Sequence, residues 1–183
     1  MFTRPLILST LFLHTLLAFN LASAEPVSPE LQLKVEKYKR KLVEWAADPD
    51  LIAAVIESNT KGRIEHLSNS HWAKLTIDDP IVTKLNHNGA AQKLTLWEED
   101  KMLEKLNLRD KKGYLAAFAS LTTKPLLYNA AARPPVMNGL KAPWSATEAK
   151  PDPTTKALSV QISAPVLYNG EIVGVLHSSV LAK

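Results

Sequence analysis

The stretch that decides the fold is Lys156–Lys183, KALSVQISAPVLYNGEIVGVLHSSVLAK. At its centre is Asn169-Gly170, the pair that most strongly favours a two-residue hairpin turn, because a type I′ turn needs positive φ at both central positions. Before the turn, apolar and polar residues alternate from Leu158 to Ala164, which is typical of a strand with one buried face. After the turn, the run from Ile172 to Leu176 is apolar on both faces and indicates a central strand. These residues therefore predict an antiparallel hairpin at the centre of a sheet.

Residues 1–24 have the features of a secretory signal peptide. Arg4 gives a positive start, the run from Pro5 to Phe19 is apolar, and Ala22-Ser23-Ala24 is a small-residue cleavage pattern. Cleavage after Ala24 predicts a soluble mature chain, 25–183, in the periplasm or outside the cell. The alternative is that the segment stays attached as a membrane anchor.

The charge and cysteine content of the mature chain exclude several classes of protein. Of the 22 lysines and arginines only Arg4 lies in residues 1–24, which contain no acids, so 21 basic residues remain against 18 acidic ones, a net charge of +3. The lysines are scattered among acids rather than gathered in a stripe, so we expect no nucleic-acid partner. The sequence has no cysteine, which excludes disulfides, a thiol nucleophile and cysteine metal ligands.

The sequence between about residues 28 and 100 is predicted to be mainly helical. Ser28-Pro29 favours a helix start, and an apolar stripe follows at spacings of four and three residues. The stripe consists of Leu31, Val35, Tyr38, Leu42 and Trp45. Four more helices are predicted to begin at Asp48-Pro49, Arg63, Asp79-Pro80 and Ala90, the second ending at Leu75 and the third at Asn88-Gly89.

From about Leu103 to the end, the sequence changes to a strand-like period of two. Leu106 and Leu108 alternate with polar residues, Asp110–Gly113 forms a turn, and Tyr114–Ser120 returns as a second strand. Residues 121–155 contain half of the chain's twelve prolines and are predicted to be an ordered loop that folds over the sheet. The order of elements, helices followed by two hairpins with a long loop between them, predicts a single α+β domain over 25–183 with an antiparallel sheet.

These features resemble a known family. The turn Asp110-x-x-Gly113 between two strands, the long loop with aromatic residues, Gln161-Ile-Ser-Ala-Pro165-Val and Asn169-Gly170 are similar to the Cache-type sensor domains, also described as PAS-like or PDC domains. The resemblance implies N-terminal helices, the first of them long, packed on one face of an antiparallel PAS-like sheet of about five strands. It also implies a small ligand on the other face, under the loop. Typical members lie between two membrane helices; no second membrane segment follows Lys183, so the resemblance implies a stand-alone, single-unit member.

The polar face of the last two strands is the candidate site. Ser159, Gln161 and Ser163 share one strand face, and His177 and Ser179 share another; beside Phe118 and Ser120 they would form a half-apolar floor with convergent hydrogen-bonding groups. The loop would cover this floor, and its arginine could bind a carboxylate. The predicted ligand-binding residues are Phe118, Ser120, Tyr128, Arg133, Trp144, Gln161, Ser163 and His177. The alternative is a solvated face, which is common in antiparallel sheets.

Residue patterns for metal binding or catalysis do not occur in the sequence. The mature histidines, His66, His71, His87 and His177, form no H-x-x-x-H pair, and there is no G-x-S-x-G elbow and no glycine-rich phosphate loop. The acids Glu98-Glu99-Asp100 occupy successive helical positions and cannot face one substrate together. We therefore predict no metal, no cofactor and no enzymatic activity.

Two functions from different classes follow from these observations. The first is a non-catalytic periplasmic sensor that binds a small polar metabolite (an amino acid, carboxylate or amine) between the sheet and the 121–155 loop and relays its occupancy to a membrane sensor or receptor. The second is a ligand-free interaction module that forms a homodimer through the amphipathic helix at residues 29–47.

Overall fold

The computed structural model describes residues 25–119, 124–128, 132–153 and 155–182. Helices in these ranges are α1 (Pro29–Trp45), α2 (Pro49–Lys61), α3 (Asn69–Lys74), α4 (Pro80–His87), α5 (Gly89–Glu98) and α6 (Pro134–Gly139). Strands are β1 (Glu25–Pro26), β2 (Leu103–Asp110), β3 (Leu115–Phe118), β4 (Trp144–Ser145), β5 (Glu148–Pro151), β6 (Leu158–Tyr168) and β7 (Glu171–Leu181). The fold is α+β, as the sequence predicts.

The helices begin where side chains can accept hydrogen bonds from their free backbone N–H groups. Ser28 Oγ accepts from the backbone N–H of Leu31 at 3.2 Å, and Asp48 and Asp79 cap α2 and α4 in the same way. The predicted helix over Arg63–Leu75 is shorter in the structure. It begins only at Asn69, because Ser68 is the residue whose side chain caps it.

The hairpin of β6 and β7 is confirmed and lies at the centre of the sheet. Asn169 and Gly170 have φ values of 51° and 80°, as a type I′ turn requires. The strand order is β1-β5-β6-β7-β2-β3, and β4 also pairs with β6. All pairs are antiparallel. The short strands β1, β4 and β5 join β2, β3, β6 and β7, so the described sheet has seven strands where about five were predicted.

The segment predicted as a long loop contains secondary structure in its described part. It forms α6 and the strands β4 and β5, both of which pair with β6. Gly139 in α6 lies so close to the sheet that an added Cβ would be 2.5 Å from Cγ2 of Val175 and 2.6 Å from Oγ of Ser163. The absence of a side chain at Gly139 is therefore what lets α6 lie directly on the strands.

The apolar stripe of α1 is buried within the chain itself. Leu31, Val35, Tyr38 and Leu42 pack in one core with Val160, Ile162 and Ala164 of β6. A homodimer through the stripe at residues 29–47 would have to displace the sheet from α1, so the prediction of this interface does not agree with the fold. Among the described residues, no helix is long and apolar enough to cross a membrane.

Candidate functional site

A cavity of about 320 Å³ lies on the sheet face opposite α1, in the size range of small-ligand sites. The floor comes from β2, β6 and β7, and the opposite wall comes from residues 124–126, the start of α6 and Asp152-Pro153. We call it the basic cavity. Its charged side chains are Lys105, Arg109, Lys124, Arg133 and Asp152, four cations and one carboxylate, which leaves a net charge of +3.

Arg109 in β2 is the most deeply placed of these cations, with 3% of its surface exposed. The Nε group donates to Nε2 of His177 at 3.1 Å, and Nη1 donates to the carbonyl oxygens of Gly113 (3.1 Å) and Leu126 (2.9 Å). Burial lowers the pKa of Arg109 to about 10, with the charge of Arg133 acting in the same direction and that of Asp110 opposing it. The guanidinium is therefore charged at neutral pH.

No carboxylate of the described residues forms an ion pair with Arg109. The three hydrogen bonds use the donors of Nε and Nη1. An arginine has five N–H donors in a planar fork, so the two on Nη2 are those left for a ligand. A buried cation with unused donors is a suitable partner for an anion.

His177 in β7 lies beside Arg109 and is held neutral. Burial lowers the pKa of His177 well below 6.5, and the charges of Arg109 and Arg133 lower it further. Because arginine has no acceptor, Nε2 of His177 must be the unprotonated nitrogen, and the neutral ring then carries its proton on Nδ1. His177 thus offers the cavity a neutral N–H donor.

The two lysines of the cavity are already bound to the protein. Lys105 Nζ pairs with a carboxylate oxygen of Asp152, which joins β2 to the segment across the cavity. Lys124 Nζ donates to the carbonyl oxygens of Trp72 (2.7 Å) and Leu75. Arg133, an exposed residue immediately before α6, is the remaining cation. Arg109, Lys124 and Arg133 therefore have no carboxylate partner among the described residues, and of these three only Lys124 is bound by two backbone carbonyl oxygens on the helical side.

A second cavity of about 380 Å³, the side cavity, adjoins the basic one. The two share Asp152, Pro153, Gln161 and Ser179. Trp144 and Glu148 complete the wall of the side cavity on the β4–β5 side. A ligand longer than a single carboxylate could therefore extend from the basic cavity along Gln161.

The structure brings only part of the predicted site together. Arg133, Gln161 and His177 line the basic cavity, and Trp144 and Gln161 line the side cavity. Ser163 is fully buried under Gly139, and its Oγ has no hydrogen-bond partner among the described residues. Ser120 lies outside the described residues.

Phe118 and Tyr128 lie in a separate apolar cluster instead of lining either cavity. Phe118 meets the ring of Trp72 edge-on at 6.1 Å, and Tyr128 meets Tyr114 edge-on at 5.0 Å. Tyr128 Oη bonds the backbone N–H and C=O of Ile64, at 2.9 and 3.1 Å. Both aromatic side chains therefore anchor the helices at the β3 edge of the sheet.

The sequence reasoning missed Arg109 and Asn107, which lie on the cavity side of β2. The alternation of Leu106 and Leu108 with polar neighbours already indicates that Asn107 and Arg109 share the face opposite the core. What the pattern does not give is the pairing of β2 with β7, which places Asn107 beside His177.

The described residues offer little for a metal. No three side chains of His, Cys, Asp and Glu lie close enough together within these ranges to hold an ion. Cations dominate the basic cavity, and they disfavour a metal ion there. The site can therefore bind and orient an anion, through Arg109, Arg133 and His177.

The fold resembles that of solved Cache-type sensor domains, and the resemblance predicted from the sequence is confirmed at the level of the fold. The sensor domain of the V. cholerae histidine kinase DctB matches with a TM-score of 0.55 and 16% identity, over 82% of this chain and 50% of that one. At this identity the likeness concerns the fold alone.

Two chemoreceptor domains match with TM-scores below 0.5. The ligand-binding domain of the Pseudomonas aeruginosa PAO1 amino acid chemoreceptor PctC, in complex with GABA, gives 0.44 at 16% identity, over 84% of this chain and 61% of that one. The ligand-binding domain of Campylobacter jejuni Tlp3, in complex with 4-methylisoleucine, gives 0.43 at 14% identity, over 80% and 60%. This chain thus spans about half to three-fifths of these solved domains. No protein-family model and no curated protein sequence matches it.

Proposed function

We propose that this protein is a non-catalytic, extracytoplasmic sensing domain that binds a small carboxylate-bearing metabolite in the basic cavity. The observation that carries the proposal is the buried guanidinium of Arg109, which has no carboxylate partner among the described residues and faces the cavity together with Arg133. A buried charge without a counter-charge is costly, and a bound anion would remove that cost.

Three groups would recognise the carboxylate. Nη2 of Arg109 and the guanidinium of Arg133 would donate to its oxygens, and neutral His177 would add the N–H of Nδ1. Gln161 would contact the part of the ligand that extends towards the side cavity. An amine without a carboxylate would meet a net positive wall and should not bind.

Signalling would follow from the position of the ligand between sheet and covering segment. A ligand that contacts both Arg109 on β2 and Arg133 before α6 would bind more tightly when the covering segment is close to the sheet. This difference in affinity between the open and closed arrangements is what a membrane sensor or receptor partner would detect. Export through the signal peptide at 1–24, with cleavage after Ala24, would place the domain in the periplasm or outside the cell.

A thermal-shift screen of the purified protein against carboxylates, amino acids, amines and purines tests the proposal. A carboxylate at about 100 times its Kd should add about 2.7 kcal/mol to the free energy of unfolding, which raises Tm by several degrees. Arg133→Ala should weaken binding at least about tenfold. The matched control is Arg40→Ala, which removes an exposed arginine on α1, away from the cavity.

Two results would contradict the proposal. The first is a screen in which amines stabilise the protein and carboxylates do not. The second is equal loss of carboxylate binding in Arg133→Ala and Arg40→Ala, because binding would then depend on net charge alone.

A further inference from the structure

Strand β2 contains a bulge at the edge of the basic cavity. Glu104 pairs with Ser179 and Asn107 pairs with His177, so three steps along β2 correspond to two along β7. The extra residue falls beside Lys105, whose φ of 61° lies in the left-handed region that lysine rarely adopts. Bulges of this kind re-aim a side chain and are common next to functional sites.

The bulge sets the backbone conformation of Lys105, one of the β2 residues that line the basic cavity. Lys105 and Asn107 both line the cavity, on the face opposite the buried Leu106, as the alternation of a strand requires. Asn107 Nδ2 donates to the backbone oxygen of Lys105 at 2.7 Å, and Lys105 pairs with Asp152 across the cavity. A change in the backbone of the bulge would therefore move both contacts, because each is made by an atom of Lys105.

Glu98, the last residue of α5, holds the bulge from the other side of the sheet. Its Oε1 accepts from the backbone N–H of Leu106 at 3.1 Å. From β7, Ser178 Oγ donates to the backbone oxygen of Glu104 at 2.8 Å. The backbone groups that the bulge removes from regular pairing therefore find side-chain partners on two elements.

The carboxylate of Glu98 occupies this position against an electrostatic cost. Burial raises the pKa of Glu98, and the nearby Glu104 raises it as well, while the backbone groups of Leu106 and Lys105 act in the opposite direction. The Glu98 carboxylate is thus partly removed from water, and it accepts a hydrogen bond from the backbone of the bulge.

We propose that Glu98 is a positioning residue of the ligand site: by binding the backbone of the β2 bulge, it keeps Lys105 and Asn107 directed into the basic cavity. The proposal rests on the proposed function for its ligand-binding consequence. Because Glu98 belongs to α5, the affinity of the cavity for an anion then depends on the helix layer on the far face. The stacked rings of Trp45 and Trp97, 4.6 Å apart, join α5 to α1.

Acetate, the smallest carboxylate probe, tests this in NMR titrations of the full protein and its variants. Glu98→Ala should raise the Kd for acetate about tenfold, because the Lys105–Asp152 pair that crosses the cavity would lose its fixed position. Glu98→Gln retains an acceptor oxygen and should give a smaller increase. The control, Glu99→Ala, removes the neighbouring exposed carboxylate of the same helix end and should leave the Kd unchanged.

Amide hydrogen exchange without ligand provides a second measurement that does not depend on the proposed function. In Glu98→Ala the amide of Leu106 should lose protection, while that of Leu108, further along β2, should keep it. If the NMR signals of the wild-type protein do not shift with acetate, the proposed function fails. Amide hydrogen exchange then decides by itself whether Glu98 holds the bulge.

The inference is overturned if folded Glu98→Ala binds acetate with the wild-type Kd, or if its Leu106 amide remains protected. Should Glu98→Ala not fold, Glu98→Gln decides. An acetate Kd and an amide exchange pattern that both equal those of wild type would then reject the proposal.

Discussion

Nε of Arg109 donates a hydrogen bond of 3.1 Å to Nε2 of His177, which joins β2 to β7 on the cavity side of the sheet. The contact fixes the tautomer of His177 and the direction of the guanidinium together. It leaves Nη2 of Arg109 and Nδ1 of His177 as donors for a ligand. The proposed binding of an anion in the cavity therefore depends on this pair.

Arg109→Gln should abolish carboxylate binding and destabilise the fold. The carbonyl oxygens of Gly113 and Leu126 would lose their donor, at a cost of about 1–3 kcal/mol in the free energy of unfolding. Urea unfolding measures the stability and isothermal titration the binding, with Arg40→Gln as the exposed control. Wild-type affinity in a folded Arg109→Gln protein would contradict the assignment of the site.

Acidification should destabilise the protein through His177. The unfolded chain takes up this proton at a pKa near 6.5, whereas the folded protein does so only well below that value. Between the two pKa values the unfolded state binds more protons, so stability is complete above about pH 7.5 and falls as the pH drops, by at most about 1.4 kcal/mol per pH unit.

The matched control for this pH dependence is His177→Gln, whose amide oxygen can accept from Arg109 but does not titrate. Unfolding free energies measured at about pH 7.5 and about pH 5.5 should decrease more in wild type than in the variant. Equal decreases in the two proteins would show that His177 does not carry the effect.

Tyr38→Phe should lower the free energy of unfolding by about 1–2 kcal/mol. The hydroxyl of Tyr38 donates to the carboxylate of Asp100, with oxygen distances of 3.0 and 2.9 Å, and a hydrogen bond to a charged group contributes about this much. Burial raises the pKa of Tyr38 from 10.0 to about 12, and Asp100 adds to the effect.

The raised pKa of Tyr38 should be detectable in the alkaline titration of the protein. Its contribution to stability is complete below about pH 10 and is lost as the pH rises towards 12, because the unfolded chain releases the phenolic proton first. Tyrosinate absorbance should contain a late step that Tyr38→Phe removes. A late step that persists in the variant would assign it to another tyrosine.

Gly139→Ala should displace α6 from the sheet. The new Cβ would be 2.5 Å from Val175 and 2.6 Å from Ser163, so the free energy of unfolding should fall by about 1–3 kcal/mol. Because Arg133 immediately precedes α6, carboxylate affinity should fall as well.

The control for this substitution is Gly89→Ala at the start of α5, where the nearest atoms, in Asp50, lie at 3.4 Å. It should change the unfolding free energy by less than about 0.5 kcal/mol, as measured by urea unfolding. A Gly139→Ala protein as stable as Gly89→Ala would mean that α6 is not held against the strands.

The parts of the fold that could be predicted from the sequence are those that neighbouring residues specify. Asn169-Gly170 determines its own turn, and Ser28 caps α1 three residues before the first buried leucine. Strand β4 has only two residues, Trp144 and Ser145, which is too short for any alternation to be visible. Its existence depends on β6, which comes later in the chain.

The candidate site shows the same limit. Arg133, Gln161 and His177 line the cavity. They could be predicted because the alternation of the strands marks their polar faces and the proline-rich segment marks the cover. Phe118 is in register with Asn107, yet Trp72 from α3 covers it, and no local pattern indicates where α3 packs. Arg109 was missed because the pairing of β2 with β7 joins residues far apart in sequence.

The central position of β6 and β7 has a consequence for the order of folding. The apolar faces of α1, α2 and α5 have no complete sheet to pack on until residues 158–181 have been synthesised. Contacts such as that of α1 with β6 have a long sequence separation, and such contacts make folding slow. A nascent chain of this protein therefore exposes its helical stripes for most of translation, a period in which a translocase or a chaperone could bind it before the sheet closes.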